Sequence, residues 1–167
     1  MADRVPREND DIFLRVETAK QGAIKGESCD DKHKDEIDVH GWSWGMEAKS
    51  ALGGAGATAK ASINQLNVVK AADSASTALM SAMRNNDLIK KAVLTVRKAG
   101  KIQHEYFRIT IENGRITSLD IRTADAGGLT ESLGLSFQKI KVEYVPQGED
   151  GQPRGGMVFE TEIATAS

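Results

Sequence analysis

Hydrophobic and polar positions alternate along residues 37–46, but the alternation changes parity at the His40-Gly41 pair. The apolar residues before and after this pair fall on opposite faces of a strand: Ile37 and Val39 before it, and Trp42, Trp44 and Met46 after it. A shift of one residue within a strand is produced by a bulge or a sharp bend, which glycine tolerates. The pattern therefore predicts a strand that leaves one packed layer and enters another.

Both tryptophans of the chain lie in this stretch, although aromatic residues make up only 5% of the sequence. Burial of an indole removes roughly 150–250 Å² from water, which is worth about 4–6 kcal/mol at about 25 cal/mol per Å². Trp42 and Trp44 are therefore predicted to anchor the core. Because side chains alternate along a strand, Ser43 is predicted to point to the opposite face.

A second change of face occurs in the apolar run 129–145, at Gln138-Lys139. The residues that alternate before and after this point are Leu133, Leu135 and Phe137, and then Ile140, Val142 and Tyr144. Phe137 is predicted to be a third core anchor. Two strands that change faces imply two sheets joined at bent corners, in a sandwich or a closed barrel.

The remaining pattern predicts an antiparallel meander. The predicted strands cover residues 12–18, 61–69, 88–98, 102–112, 115–123 and 157–163. Asn113-Gly114 stands between two of these runs, and Asn-Gly is a strong signal for a two-residue hairpin turn.

One amphipathic helix is predicted after residue 73, because apolar residues recur there at helical spacing. The stripe consists of Ala75, Ala78, Leu79, Ala82 and Met83. Asp73 or Ser74 is expected to cap its first turn. The predicted fold is mainly β, a β-barrel of two antiparallel sheets with one flanking α-helix. We expect one domain over residues 11–167, preceded by a polar, mobile extension over residues 1–10.

Composition excludes several functional classes. The 167 residues carry a net charge of −2, which gives no electrostatic reason to expect nucleic acid as a partner. No run of 18 apolar residues is present, so no membrane insertion is expected. The amino terminus lacks the apolar segment of a signal peptide, and a single cysteine, Cys29, excludes an intrachain disulfide.

The candidate chemical sites are weak. Cys29, Asp31, His33 and Asp35 lie in one loop, but they lack the paired Cys/His spacing of a zinc site, and a solvated loop is the simpler interpretation. Gly54, Gly56 and Ala59 match the spacing of a dinucleotide loop, but no helical pattern follows them. We therefore expect no metal and no cofactor, and interpret residues 50–60 as a flexible arm of small residues.

Catalysis also finds little support. Ser43 stands in Trp-Ser-Trp-Gly rather than in a Gly-x-Ser-x-Gly nucleophile turn. The 24 acidic residues always offer some pair of carboxylates, so a hydrolase remains an alternative. A stand-alone small β-barrel that binds a ligand is a second alternative, which a closed apolar pocket in a monomer would favour.

Several blocks in the sequence resemble the haemolysin-coregulated protein family. The blocks are Lys25-Gly26-Glu27-Ser28, His33, Glu36-Ile37-Asp38-Val39, Trp42-Ser43-Trp44-Gly45-Met46, Leu94-Thr95-Val96-Arg97-Lys98-Ala99-Gly100, Leu129-Thr130-Glu131 through Phe137, and Val142-Glu143-Tyr144-Val145-Pro146-Gln147. The resemblance implies a structural protein rather than an enzyme. It implies hexameric rings that stack into the inner tube of the bacterial type VI secretion system, with a contractile sheath around the tube and a spike protein at its tip.

The resemblance also implies roles for particular residues. Assembly is expected in the bacterial cytoplasm, followed by secretion without a signal peptide, and small effector proteins are expected in the ring lumen. Ser43 is predicted to face that lumen. The arm, represented by Ser50, Leu52, Gly54, Gly56 and Thr58, is predicted to contact neighbouring rings or subunits. The extra polar residues 1–10 depart from the family pattern at the front of the chain.

Overall fold

The computed structural model of the chain describes residues 10–48, 61–100, 102–150 and 154–163. Twelve strands and one helix occur in these ranges. In chain order they are β1 (Asp11–Thr18), β2 (Gly22–Ile24), β3 (Ile37–Asp38), β4 (Gly41–Ser43), β5 (Met46–Glu47), β6 (Ser62–Ile63), β7 (Leu66–Ala71), α1 (Ser76–Arg84), β8 (Ile89–Lys98), β9 (His104–Thr123), β10 (Leu129–Ser136), β11 (Lys139–Tyr144) and β12 (Met157–Glu162).

Two antiparallel sheets form the body of the fold, which confirms the predicted class. Sheet A has the order β2, β1, β8, first half of β9, β11 and β12, and β3 lies beside β2 on the same edge of β1. Sheet B has the order second half of β9, β10, β7 and β4. Sheet A is not closed, because β2 and β12 each have only one neighbour among the described residues.

Both predicted corners carry the chain from one sheet to the other. Ile37 pairs with β1 in sheet A, and Trp42 pairs with β7 in sheet B, so the bend at His40-Gly41 separates two sheets. The second corner follows β10, which belongs to sheet B, and precedes β11, which belongs to sheet A.

The predicted hairpin at Asn113-Gly114 is wrong. Strand β9 runs through this dipeptide without reversing, and its two halves pair with different sheets. A type I′ hairpin needs positive φ at both central residues, whereas only Asn113 has it, at 54°. The positive φ bends the strand at a third corner between the sheets, so the Asn-Gly signal marks a change of direction.

Gly114 permits close approach of the backbone at this third corner. A Cβ atom on Gly114 would lie 2.1 Å from the carbonyl oxygen of Ser136. We expect Gly114→Ala to lower the free energy of unfolding by about 1–3 kcal/mol, because neither backbone can move aside cheaply. Urea denaturation measures this loss, and Gly155→Ala, which meets nothing within 4 Å, is the control. Equal stability of the two variants would contradict the assignment.

The core lies between the inner faces of the two sheets. Phe137 is buried there, 6% exposed. Trp42 and Trp44 are only half-buried and pack against the core from its margin. Trp42 stacks on Phe107 of β9 with ring centroids 5.3 Å apart. Met46, which shares their predicted face, is 48% exposed, because the inward alternation ends with Trp44.

Helix α1 packs on the core through Leu79 and Ala82. The predicted cap by Asp73 or Ser74 is wrong, because the N-cap residue is Ala75 and no side chain caps the first turn. Asp73 accepts a hydrogen bond from the backbone N–H of Ala75, 3.0 Å away, just before the helix begins. Met83 is 40% exposed, so the predicted stripe is too wide by one position. Ser76 is buried instead, because it belongs to a charged cluster beneath the helix.

That cluster joins two strands of sheet B, β7 and β10, to the helix. Lys70 of β7 and Glu131 of β10 are completely buried, with Nζ 2.6 Å from Oε2. Lys70 Nζ also lies 2.9 Å from Asp73 Oδ1, and Ser76 donates to Glu131 Oε2 at 2.6 Å. A buried charge without such partners would be very costly, so the three elements depend on one another.

The loop between β2 and β3 is tied down at two points, which corrects its interpretation as wholly solvated. Arg97 donates two hydrogen bonds to Asp30, and this pairing lowers the pKa of Asp30 to about 2. His33 is 8% exposed and stacks on Phe13. Its two ring nitrogens lie 2.7 Å from Glu36 and 2.5 Å from Glu105.

Candidate lumen and assembly surfaces

Ser43 lies on the outer face of sheet B, the face turned away from the core. Its side chain is exposed, while its neighbours Trp42 and Trp44 pack inward. The register of the sheet aligns it with residues on three further strands, in the row Ser43, Asn67, Gly134 and Ser118. Ser43 is thus part of a continuous β-sheet surface, and its predicted position in a lumen remains a prediction.

Small and neutral side chains dominate this outer face. On β4, β7 and β10 the outward positions are Gly41, Ser43, Asn67, Val69, Ala71, Thr130, Ser132, Gly134 and Ser136. None of these residues is charged. Charged side chains enter only on β9, at Arg115, Asp120 and Arg122. A surface of this kind offers neutral hydrogen-bonding groups and accessible backbone.

A hydrogen-bonded bridge crosses the outer face of sheet B. Thr117 on β9 donates to Gln65 Oε1 at 2.6 Å, and Gln65 Nε2 donates to Asn67 at 3.3 Å. Gly134 lies beneath the bridge, where a Cβ atom would come within 2.9 Å of Gln65 Nε2 and 2.5 Å of Ser118 Oγ. Glycine is therefore required for Gln65 to span β10.

The outer face of sheet A has the opposite character. It forms an open groove of about 490 Å³ lined by charges of both signs. The charged residues are Arg15, Lys91, Arg108, Lys139 and Lys141, and Glu36, Glu112, Glu143 and Glu160. Lys139 and Glu160 lie 2.9 Å apart, and their hydrogen bond raises the pKa of the lysine and lowers that of the glutamate.

An apolar patch remains uncovered on the inner face of sheet A. We call it the apolar overhang, and it consists of Val142, Tyr144, Met157 and Phe159. These residues alternate with Lys141 and Glu143 on β11 and with Val158 and Glu160 on β12, and they continue the face on which Ile140 is fully buried. Yet Tyr144 is 45%, Met157 66% and Phe159 43% exposed, because sheet B does not extend over the last strands of sheet A. Exposed apolar surface next to an open strand edge is typical of an interaction site.

Sequence reasoning did not single out the apolar overhang. The alternation of Val142 and Tyr144 had predicted a core face, and the Met157-Val158-Phe159 run had predicted only a last strand. One signal was available in the sequence. The strands at the carboxyl end carry more apolar residues than the rest of the chain can cover. Which of those residues stay uncovered depends on the relative widths of the two sheets.

The remaining predicted residues divide into two groups. The arm residues Ser50, Leu52, Gly54, Gly56 and Thr58, with Ala59 of the dinucleotide-like spacing, lie outside the described residues, as do residues 1–9. Of the four loop residues considered as metal ligands, His33 has both nitrogens against carboxylates. Within the described ranges, no three His, Cys, Asp or Glu residues are placed to hold a metal ion. In the same ranges, no helix is long and apolar enough to cross a membrane.

Comparisons with known proteins all point to one family. The family described as "Type VI secretion system effector, Hcp" matches residues 13–144. Protein hcp1 of Pseudomonas aeruginosa is 38% identical over 154 residues, which cover 89% of this chain and 91% of that protein. The crystal structure of Hcp1 from Salmonella typhimurium superposes with a TM-score of 0.73 at 29% identity, covering 93% of this chain and 95% of that one.

A type VI secretion system effector from Yersinia pestis gives a TM-score of 0.72 at 26% identity, covering 91% of this chain and 99% of that one. The family match spans most of the two-sheet body, from β1 to the end of β11. The chain belongs to the Hcp family of type VI secretion proteins, as the resemblance in its sequence had indicated.

Proposed function

We propose that six copies of this chain form a ring, and that rings stack into the inner tube of the type VI secretion system. Membership of the Hcp family, whose members are structural secreted tube proteins, confirms the prediction of a structural protein rather than an enzyme. The observation that carries the ring is the apolar overhang. A lone protomer leaves three large apolar side chains in water beside the edge of β12, which has no partner strand in the part of the chain that the structure describes.

Burial of the overhang by a neighbouring copy supplies the free energy for assembly. Each large apolar side chain contributes about 1.5–3 kcal/mol when it is fully removed from water. In the proposed ring the overhang packs against a different patch of the neighbouring copy, and such a heterologous contact closes into a ring when the rotation closes. Negative-stain images test this proposal: rings with a central channel are expected, and a uniform field of single protomers would contradict it.

The outer face of sheet B is the part of the protomer best suited to line the channel. Its small neutral side chains keep a channel wide and allow a cargo surface to approach the backbone. The charged outer face of sheet A then faces the contractile sheath, and a spike protein closes the tip.

We further propose that the arm around Gly54 and Gly56 contacts the adjacent ring. Assembly takes place in the cytoplasm, and secretion of the tube follows.

Ser43→Gln tests the lumen assignment. The longer side chain projects from the channel wall, so we expect the amount of small effector protein that co-purifies with intact rings to fall about tenfold, the equivalent of about 1.4 kcal/mol of lost contact. Ser81→Gln, an exposed position on helix α1, is the matched control and should load normally. Normal loading of Ser43→Gln rings, or a ring structure with Ser43 away from the channel, would refute the assignment.

A further inference from the structure

We infer that His33 attaches the loop over residues 25–36 to sheet A only while both nitrogens of its imidazole ring carry a proton, which makes the attachment a pH-sensitive device. The loop connects β2 to β3, and His33 lies near its tip. Every group involved belongs to a single chain, so the inference does not depend on the proposed ring.

The loop is folded on itself, and side chains attach its tip to sheet A. Backbone hydrogen bonds of 2.7 and 3.0 Å join its two limbs. Asp30 accepts two hydrogen bonds from Arg97 of β8, and these bonds lower the pKa of Asp30 to about 2. The other attachment is His33, whose Nε2 lies 2.5 Å from Glu105 Oε1 at the start of β9. The tip is therefore held by one ion pair that persists at ordinary pH and by one contact that contains a histidine.

Both ring nitrogens of His33 face carboxylates. Nδ1 lies 2.7 Å from Glu36 Oε2, and Nε2 lies 2.5 Å from Glu105 Oε1. An ionised carboxylate only accepts hydrogen bonds, whereas a neutral imidazole donates from one nitrogen and accepts at the other. Both contacts are therefore hydrogen bonds only when the ring is an imidazolium. Loss of one proton leaves a nitrogen lone pair facing a carboxylate.

The ring is held in position for these two contacts. It stacks on Phe13 of β1, with the centroids 4.3 Å apart and 8° between the planes. The two carboxylates in direct contact with the ring decide which protonation state fits. The charged groups on the surrounding elements are Asp30 and Glu36 in the loop, Asp11 and Arg15 on the same face of β1 as Phe13, Arg97 on β8, and Glu105 and Arg108 on β9.

The attachment has a limit on each side of the pH scale. Burial raises the pKa of Glu105, but the hydrogen bond and charge of His33, together with Arg108, lower it overall. A carboxylate with a lowered pKa stabilises the folded chain above its ordinary pKa, and this stabilisation is lost as the pH falls through the lowered value. The contribution of the imidazolium is lost in the opposite direction, as the pH rises through the titration of His33. The loop is therefore attached between these two titrations.

Release of His33 changes the outer face of sheet A. His33 and Glu36 line the charged groove of about 490 Å³ on that face. Phe13 is buried beneath the imidazole ring, and the guanidinium carbon of Arg97 lies 5.0 Å from its ring centroid. A neutral His33 lets the tip of the loop move away and uncovers an aromatic ring within a charged surface. The pH thereby controls the shape and the polarity of this face.

A spin label on Cys29 measures the release in the full chain, because Cys29 is the single cysteine and an exposed loop residue. Between about pH 6 and about pH 9, the equilibrium should shift about tenfold from immobile to mobile label, the effect of losing one charge-assisted hydrogen bond. His33→Gln removes the titrating ring and should abolish the shift. His40→Gln removes an exposed histidine outside the loop and should retain it.

Glu105→Gln separates the protonation mechanism from a purely structural role of His33. The introduced amide can donate to Nε2 of a neutral ring while Nδ1 donates to Glu36, so the label should stay immobile at both pH values. Equal mobility of the wild-type label at both pH values would overturn the inference, as would a full shift in either His33→Gln or Glu105→Gln. Sedimentation velocity on the same samples tests the ring separately, so failure of this inference leaves the proposed function in place.

Discussion

Lys70→Met is expected to lower the free energy of unfolding by about 3–5 kcal/mol, the cost of leaving one partner of a buried ion pair without the other. Lys70 and Glu131 are both fully buried, and Lys70 Nζ lies 2.6 Å from Glu131 Oε2. Among the described residues, Glu131 Oε1 has no hydrogen-bond partner, so the lysine is its main compensation. Without Lys70, the hydroxyl of Ser76 is the one group in the described ranges that still donates to Glu131, and the helix loses its charged contact with sheet B.

Urea denaturation at a fixed protomer concentration measures this loss, because assembly makes apparent stability depend on concentration. Lys90→Met on β8 removes an exposed lysine and should change stability by less than about 0.5 kcal/mol. The double variant Lys70→Met with Glu131→Leu should recover most of the loss, since a packed apolar pair replaces a buried ion pair at little cost. A loss below about 1 kcal/mol in the single variant would mean that the cluster does not hold the helix.

Phe159→Glu is expected to weaken each contact between protomers by at least about a hundredfold and to leave mostly single chains at micromolar concentration. The substitution places a carboxylate within the apolar overhang, opposite Val142, where the proposed ring would place a neighbouring copy. The ring would then bury an unpaired charge at every junction. The fold itself should persist, because Phe159 is 43% exposed in the protomer.

Val158→Glu is the matched control for this prediction. Val158 is on the same strand but on the opposite face, where it pairs with Glu143 and is 58% exposed. Like charges at a cross-strand position cost only a few tenths of a kcal/mol to about 1 kcal/mol, less than a tenfold change. Sedimentation velocity should therefore show rings for Val158→Glu and protomers for Phe159→Glu. Identical sedimentation of the two variants would show that the overhang is not part of the contact between protomers.

The sequence predicted the corners of the fold because a change of parity in a strand has few physical causes. The flips at His40-Gly41 and Gln138-Lys139 both separate sheet A from sheet B. The third corner was misinterpreted as a hairpin. Asn113 adopts positive φ in a turn and in a bend alike, and the pairing that distinguishes the two is set by distant strands. Local chemistry allows the positive φ of Asn113, and pairing with distant strands decides that the chain bends there instead of reversing.

Burial of Lys70 and Glu131 could not be predicted from the residues. Lysine and glutamate within strands ordinarily mark a solvated face, and only the position of helix α1 makes these two an internal pair. The overhang shows the opposite difference between sequence and structure. The apolar alternation on β11 and β12 predicts burial in a core, whereas the single chain leaves these side chains exposed. The role of Ser43 depends on symmetry between copies, which no single-chain pattern contains.

Native mass spectrometry of the purified wild-type chain tests the central claim most directly. The proposed ring of six copies predicts one dominant species at micromolar concentration, with six times the 18.0 kDa mass of the chain. A dominant species of 18.0 kDa under the same conditions would contradict it.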